Sequence, residues 1–217
     1  MSTLIYRWMV LLALAGGVGL GATLGAPAAQ AHPHVWVTSS SELLYADDGS
    51  ITGVRHAWTF DDMFTTYALQ GIQAKTKGVY SREELAPLAK DNVENLKEFG
   101  FFTFAKADGK KEKFQEPIDY YLEYKNDILT LHFTLPLKNP LKPKQLALDI
   151  FDPAFFIDFK FEEKDPIKLV GAPASCQLKV QRPGEADVKK FTEEMVASGD
   201  NTNYGAIYAN KILVNCP

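Results

Sequence analysis

Two histidines one residue apart, His32 and His34, directly follow a long apolar stretch and offer the clearest chemistry in the sequence. In an extended segment, residues i and i+2 point the same way, so the two imidazoles can converge on one metal ion. If the chain is cut after Ala31, His32 also carries a free α-amine. Its reference pKa of about 8 lets it lose a proton to a metal at low cost. The pair therefore predicts a metal site at a processed N-terminus.

Pro33 limits how such a site can be built. A histidine third from a free N-terminus often completes a square-planar site through deprotonated backbone amides, but proline has no N–H to lose. The ion must then take other protein ligands. Imidazole together with carboxylate suits Ni, Co, Zn or Cu, and geometry rather than raw affinity selects among them. The sequence does not name the metal.

A β-hairpin supplies the candidate carboxylates. Two strand-like runs flank the turn signal at residues 47–50, and pairing across that turn places His34 opposite the segment that contains Asp61 and Asp62. Both carboxylates are therefore predicted ligands. His56 lies six residues from Asp62, on the order of 20 Å along a straight strand. It joins the site only if a bulge or bend breaks the register.

His132 and the segment 151–159 are the other positions with possible chemistry. His132, in LTLHFTL, is predicted to be a half-buried strand residue rather than a ligand. Asp152 and Pro153 favour a turn, and the aromatic residues around them must pack. Asp152 and Asp158 could serve a site, but an anchored turn is the simpler interpretation.

The first 31 residues are predicted to be a cleaved secretory signal. Arg7 is the only charged residue among them, and Ala29-Gln30-Ala31 is the small-x-small pattern that a signal peptidase accepts. An uncleaved anchor is the alternative, because about 20 apolar residues can span a bilayer. Residues 32–217 are expected to form a single periplasmic domain that does not itself span the membrane.

The elements predict an α+β fold, a β-rich antiparallel sheet or sandwich-like domain. A helical insertion over about residues 63–100 follows the first hairpin, and EADVKKFTEEMVASG predicts a late C-terminal helix. Ser81 and Glu84 form a capping box at the start of one helix. The chain has two cysteines, Cys176 and Cys216, which an oxidising compartment would join. Two buried free thiols are the alternative. A formal net charge of -4 argues against nucleic acid as a partner.

Three segments together, AHPHVWV, RHAWTFDDMF and FDPAFFIDF, resemble the DUF1007 family. Proteins of that family are exported, begin their mature chain with His-Pro-His, and are described as periplasmic components of an uncharacterised ABC-type transport system. Their genes tend to lie beside nickel/cobalt-type permeases. The resemblance implies a membrane metal permease or ABC-type transporter as the partner.

One departure from the family concerns calcium. Many relatives carry an acidic, EF-hand-like loop between the hairpin and the helix. Here the acidic positions of that loop are occupied by Gln73, Lys75 and Lys77. Because two lysines repel Ca²⁺, we predict no calcium site at this position.

The sequence therefore predicts a periplasmic, non-enzymatic accessory protein that binds a divalent transition metal for a nickel/cobalt- or zinc-type transport system. One alternative is a structural or adaptor domain that docks on a permease without binding metal. Another is a copper-dependent redox enzyme that uses the N-terminal histidine. Neither the direction of transport nor the oligomeric state follows from the sequence.

Overall fold

The computed structural model describes residues 33–184 and 204–217. The predicted signal segment, His32 and the predicted late helix lie outside these described residues. The described residues 33–184 and 204–217 belong to one compact unit. Cleavage after Ala31 stays a prediction.

Strands dominate the described residues, and two α-helices lie between the second and third strands. The helices are α1 (Asp62–Ala68) and α2 (Arg82–Leu96). Short 3-10 helices cover Lys97–Phe102 and Tyr204–Tyr208. The strands are β1 (Val35–Tyr45), β2 (Ile51–Phe60), β3 (Thr103–Ala107), β4 (Lys110–Lys111), β5 (Ile118–Lys125), β6 (Ile128–Leu141), β7 (Gln145–Ile150), β8 (Ile157–Phe161), β9 (Ile167–Val170), β10 (Gln177–Gln181) and β11 (Asn210–Asn215).

The strands form two sheets. The first has the order β5-β6-β2-β1-β8, and β9 pairs with the later half of β1. The second has the order β10-β11-β7-β3-β4. The pairings of β1 with β8 and β9 are parallel, whereas the other pairings are antiparallel. The protein is therefore β-rich, with two sheets and few helices, as the sequence pattern predicts.

The first hairpin has the predicted register. Pairing runs without a shift from Val37 opposite Phe60 to Leu44 opposite Gly53, and it becomes irregular only beside the turn. On β1 and β2 alternate side chains are buried, because successive side chains of a strand point to opposite faces. The start of β1 therefore lies beside the end of β2, where α1 begins.

The core lies between the two sheets and is centred on aromatic side chains. Trp58 is 1% exposed, and its ring lies 4.8 Å from those of Phe133 and Phe159. Phe102, which immediately precedes β3 of the second sheet, contacts Phe159 at 5.6 Å. Each fully buried side chain of this size contributes roughly 1.5–3 kcal/mol. Aromatic packing thus joins the two sheets, together with the many aliphatic side chains of the core.

Helix α2 begins at the predicted capping box. The Ser81 hydroxyl accepts a hydrogen bond from the Glu84 backbone N–H, and the Glu84 carboxylate accepts one from the Ser81 N–H at 2.8 Å. Leu85, Ala89 and Val93, spaced four residues apart, are the buried side chains of the helix. This spacing places one apolar side of α2 in the core.

A disulfide joins Cys176 to Cys216 and closes a loop across 40 residues. It ties the start of β10 to the end of β11, two paired strands of the second sheet. In the chain-entropy model a loop of this length is worth roughly 3–4 kcal/mol. The predicted disulfide is confirmed.

Within residues 33–184 and 204–217, no helix is both long enough and apolar enough to cross a bilayer.

Candidate metal centre

His34 lies immediately before β1 and its side chain is exposed. Its backbone N–H donates to the Phe156 carbonyl oxygen at 2.8 Å, and the next N–H, of Val35, donates to the same oxygen at 3.2 Å. The imidazole lies 4.7 Å from the Phe156 ring, centroid to centroid. Phe156 thus holds the backbone of His34 and packs against its side chain.

Asp152 explains why Phe156 is in that position. The Asp152 side chain is buried and accepts three backbone N–H groups, from Ala154 at 2.9 Å, Phe156 at 2.9 Å and Ile157 at 3.0 Å. These charge-assisted bonds fix the turn that carries the chain into β8. Asp152 therefore acts on the candidate centre by positioning Phe156, and His34 through it. The prediction of an anchored turn describes it correctly.

The C-terminal 3-10 helix packs against the same turn. The Gly205 N–H donates to the Pro153 carbonyl, and a Cβ at Gly205 would lie 1.6 Å from the Asp152 carbonyl oxygen. Only glycine leaves room for this approach. The Phe155 ring stacks on Tyr208 at 3.8 Å. The turn that supports His34 is thus packed against the C-terminal 3-10 helix.

Asp61 lies at the same end of the first sheet and connects β1 to α1. One carboxylate oxygen accepts the Trp36 N–H at 2.9 Å, and the other accepts the Phe64 N–H at 2.7 Å as the N-cap of α1. A carboxylate has about four lone-pair positions, so two accepted bonds leave acceptor capacity. Two backbone hydrogen bonds thus fix the Asp61 carboxylate beside β1, the strand that begins directly after His34.

Asp62 is the first residue of α1, and its side chain is exposed. One of its oxygens accepts the N–H of the next residue, Met63, at 2.9 Å. This contact is local and does not direct the carboxylate towards β1. Of the two predicted carboxylates, Asp61 is the better ordered.

His56 is placed away from His34. The unbroken register sets it opposite Ser41, seven residues along β1 from His34, which is on the order of 20 Å. The condition for His56 to join the site, a bulge or bend in the register, is therefore not met. Its side chain is 1% exposed and lies between the sheets.

The hydrogen bonds of His56 define its tautomer. The Thr103 hydroxyl donates to the Phe101 carbonyl at 2.8 Å, so it accepts from His56 Nε2 at 3.3 Å. His56 Nε2 therefore carries the proton, and Nδ1 accepts from the Ser41 hydroxyl at 2.8 Å. Burial lowers the pKa of His56 to about 3. It is a neutral core residue that links the two sheets.

His132 is a partly buried residue of β6. Its ring stacks on Tyr121 at 4.5 Å, and the Arg82 guanidinium lies 3.7 Å from the same tyrosine ring. Two groups so close to one ring must lie on opposite faces, so Tyr121 is held between them. Burial is the main cause of a lowered pKa of His132, which the nearby Glu123 partly opposes. This environment agrees with the predicted strand role.

Asp158 is a further carboxylate near the candidate centre. The parallel register of β1 and β8 pairs it with Trp36, two residues along the strands from the contact between His34 and Phe156. Lys160 Nζ lies 3.5 Å from its carboxylate. Burial is the main cause that raises the pKa of Tyr208 to about 12, and its hydrogen bond with Tyr204 and the charges of Tyr204 and Asp158 act in the same direction. The sequence motif pointed to Asp158, but nothing local in it revealed the pairing of β8 with β1.

Within residues 33–184 and 204–217, no three or more His, Cys, Asp or Glu side chains are grouped so that they could hold a metal ion. His32 and its α-amine lie outside this part of the chain, so the predicted ligand set is described only in part.

The fold and this site define a class: a two-sheet, β-rich domain whose leading segment presents a histidine supported by an aspartate-anchored turn. The chain belongs to the DUF1007 family, described as proteins of unknown function, whose family model matches residues 18–216. The resemblance drawn from three short motifs is confirmed.

Two relatives and one solved structure are similar to the chain. An uncharacterized protein of Haemophilus influenzae is 23% identical over 194 residues, covering 86% of this chain and 91% of that protein. An uncharacterized 15.5 kDa protein encoded in the trpE 3' region of Spirochaeta aurantia is 30% identical over 93 residues, covering 42% and 66%. The acetylcholine-binding protein type 1 of Biomphalaria glabrata aligns over 96% of both chains with a TM-score of 0.38 and 10% identity. That TM-score is too low to support any argument about fold or function.

Proposed function

We propose that the protein is a periplasmic, non-enzymatic accessory protein that binds a divalent transition metal, Ni²⁺, Co²⁺ or Zn²⁺, for a membrane permease or ABC-type transporter. Export with cleavage after Ala31 is part of this proposal, since it makes His32 the first residue. So is the α+β description with a helix over residues 185–199.

The observation that carries the proposal is the support given to His34. A strand-leading histidine with no role would need no dedicated anchor, yet Phe156 holds both its backbone and its ring. Phe156 is in turn held by the buried Asp152 carboxylate, which accepts three backbone hydrogen bonds. An ordered ligand binds more tightly because less conformational entropy is lost on binding.

The ligand set in this proposal combines the two N-terminal histidines with one carboxylate. His32 contributes its imidazole and its α-amine, and His34 contributes its imidazole. Asp61 supplies the carboxylate, with Asp62 as the second choice. Asp61 keeps its bonds to Trp36 and Phe64 while it offers a remaining lone pair. His56 has no place in this set, because both of its ring nitrogens are engaged in the core.

Calorimetric titration of the processed protein with Ni²⁺, Co²⁺, Zn²⁺ and Cu²⁺ tests the proposal. We expect one saturable site for at least one of these ions, with one ion bound per chain. The variant carrying both His32→Ala and His34→Ala should lose it, whereas His132→Ala should retain it. If none of the four ions binds the processed protein saturably, the proposal is wrong.

An adaptor role without metal is the second candidate, and one feature favours it. Large apolar side chains are exposed on the elements that meet at this end of the first sheet: Trp36 (39%), Phe156 (47%), Met63 (61%) and Tyr67 (70%). Such side chains mark an interaction surface where they form one contiguous patch. Co-purification with a membrane partner that is unchanged by the double histidine variant, together with no metal binding, would support the adaptor role instead.

A further inference from the structure

A pocket of about 570 Å³ lies on the outer face of the first sheet. Its volume is within the range of small-molecule sites, about 300–1,000 Å³. Ser41, His56 and Phe133 border it only from below, since their side chains are buried on the core side of the sheet. Successive side chains of a strand point to opposite faces. The residues before and after these three along the chain, together with Asp119 and Tyr121 of β5, therefore form the floor and walls.

The floor of the pocket continues an aromatic stack. The strand registers place one row of residues across β5, β6, β2 and β1, namely Tyr121, His132, Ala57 and Ser40. The first two stack their rings at 4.5 Å with 14° between the planes, whereas the last two side chains are small. Neighbouring strands lie about 4.8 Å apart, and stacked rings have centroids about 4.5–7 Å apart. A planar ring above Ala57 would therefore be the next member of the stack.

A ligand ring can use the face of His132 that is turned away from Tyr121. Tyr121 is itself covered, by His132 on one face and by the Arg82 guanidinium at 3.7 Å on the other. The His132 Nε2 atom lies 3.8 Å from a Glu123 carboxylate oxygen, so one edge of the ring faces this carboxylate. A ring held in this way is preorganised, which reduces the entropy lost on binding.

Hydrogen-bonding groups lie where the edge of such a ring would point. The stack runs across the strands, so a ring parallel to His132 has its edges directed along them. From Ala57 the next outward residue along β2 is Arg55, and Glu42 is its partner on β1. Glu42 Oε2 accepts the Arg55 Nε–H at 2.8 Å and also an Nη2–H. Among the described residues, the other three N–H groups of Arg55 and Glu42 Oε1 make no hydrogen bond, so donors lie beside an acceptor.

The charge of the pocket disfavours an anion. Its charged side chains are Glu42, Asp119 and Arg55, so carboxylates exceed cations by one, and the wall residue Thr134 is uncharged. Burial lowers the pKa of His132, which is therefore neutral at pH 7. Asp119 lies in a β-bulge, where the register of β5 with β6 shifts, and its φ is 52°. Bulges often re-aim a side chain beside a binding site. No ion pair of the described residues includes Asp119.

We propose that this pocket binds a neutral, planar nitrogen heterocycle of the nucleobase type, with its ring stacked on His132 and its edge paired with Arg55 and Glu42. Nucleobases carry hydrogen-bond donors beside acceptors on one planar edge, which matches these two side chains. The excess negative charge favours a free base or nucleoside over a phosphorylated form. The proposal does not depend on the metal site, because Ser40 lies six residues beyond His34, on the order of 20 Å along the strand.

Nucleoside probes that differ in one property each test the proposal on the full, processed chain. The amide NMR signals of the protein are followed during titration with adenosine, purine riboside and AMP. Adenosine should saturate one site and shift the signals of Ala57 and His132. Purine riboside lacks the amino donor for Glu42 and should bind about fivefold more weakly, and AMP about threefold more weakly, as expected for exposed charged contacts. No saturable binding of adenosine, or equal binding of adenosine and AMP, overturns the proposal.

Stacking is tested with uridine and 5,6-dihydrouridine, which share a hydrogen-bonding edge but not a flat ring. Uridine should bind at least about threefold more tightly, because the flat ring can stack. His132→Phe, which keeps a flat ring, should retain adenosine binding within about twofold, while His132→Leu should weaken it by about fivefold. Equal affinities of the two nucleosides, or equal effects of the two variants, contradict stacking on His132.

Space and edge are tested by matched variants, with folding of each checked by its unfolding curve. Ala57→Leu fills the place of the ring and should abolish adenosine binding, whereas Ala147→Leu, at an outward position of β7 in the second sheet, should not. Glu42→Ala should remove the preference for adenosine over purine riboside, while Glu123→Ala should keep it. Equal effects in variants and controls would contradict a site in this pocket.

Discussion

His34 and His56 belong to the same hairpin segment, yet the structure gives them opposite environments. His34 is exposed at the start of β1 and is held from outside by the turn that contains Phe156. His56 is buried between the sheets, with one hydroxyl on each ring nitrogen. The first side chain is ordered and accessible, whereas the second is ordered and enclosed.

This difference shows that the contacts of its ring nitrogens decide whether a histidine can bind a metal ion. A metal ion requires an accessible nitrogen lone pair, and the Nδ1 lone pair of His56 accepts the Ser41 hydroxyl inside the core. Burial also keeps His56 neutral in the folded state, since it lowers its pKa to about 3. His56 therefore contributes to stability and its pH dependence, while His34 is available for ligand binding.

The largest effect is expected from removing the anchor behind His34. Asp152→Ala leaves three backbone N–H groups without their carboxylate and should lower the free energy of unfolding by roughly 4 kcal/mol, because bonds to charged groups are worth about 1.5–3 kcal/mol each. Urea unfolding monitored by circular dichroism measures this. Asp47→Ala, an exposed carboxylate in the first turn, should change the value by less than about 0.5 kcal/mol. Equal, small effects of the two variants would remove the anchoring role.

The His56 environment predicts an acid-dependent loss of stability. The pKa falls from 6.5 in the unfolded chain to about 3 in the folded protein, so between these values the unfolded state binds the extra proton. Stability from this residue is complete above about pH 6.5 and is lost as the pH falls towards 3. Between pH 7 and pH 4 the loss should be about 3 kcal/mol.

Unfolding free energies of wild type and His56→Gln at both pH values isolate this contribution. The variant is expected to be less stable at pH 7. Its free energy of unfolding should fall less between pH 7 and pH 4 than that of the wild type, with a difference of about 3 kcal/mol. His132→Gln should alter the pH dependence less, because His132 is only partly buried. An unchanged pH dependence in His56→Gln would mean that His56 is not a buried neutral group.

Much of the fold could be predicted because its determinants are local. Turn residues set the register of the first hairpin, and Ser81 and Glu84 set the start of α2. The even cysteine count, together with the predicted export, indicated the disulfide. The predicted late helix lies outside the described residues. Local patterns were thus sufficient for elements whose partners are close in sequence.

The candidate site was predicted less completely, because its supports are distant in sequence. Val35 pairs with Ile157 through a parallel contact between β1 and β8, and no local pattern indicates which strands become parallel neighbours. The aspartate motif could be recognised as a turn, but not as the support of His34. His56 was placed correctly by register, whereas its bond to Thr103 of the second sheet had no sequence signal.

Metal affinity separates His34 most directly from His132, a histidine within the first sheet. His34→Ala in the processed protein should weaken binding of the preferred ion by at least about tenfold, or 1.4 kcal/mol, because an imidazole ligand is lost. His132→Ala should leave the affinity unchanged. The measurement is calorimetric titration at neutral pH, with folding of each variant checked by its unfolding curve. A His34→Ala variant that binds as tightly as wild type would assign the site elsewhere.

The smallest expected effect concerns calcium. The Glu84 carboxylate accepts backbone N–H groups from Lys75 and Ser81, and Lys75 and Lys77 add positive charge to this loop. We predict no change in melting temperature on addition of Ca²⁺, in wild type or in Glu84→Ala, although the variant itself should lose about 1 kcal/mol with the capping box. A Ca²⁺-dependent rise that disappears in Glu84→Ala would show a calcium site.

The central claim is that His32 binds metal because it is the first residue of the processed chain. Metal affinity is therefore compared between protein that begins at His32 and protein with one extra glycine before it. The added glycine then carries the free α-amine, so that His32 keeps its imidazole but loses the amine as a second donor. His34, Phe156 and Asp61 are unchanged. We predict that the extra glycine weakens binding by at least about tenfold. Equal affinities would show that the amine is not a ligand and would contradict a metal centre built on the processed N-terminus.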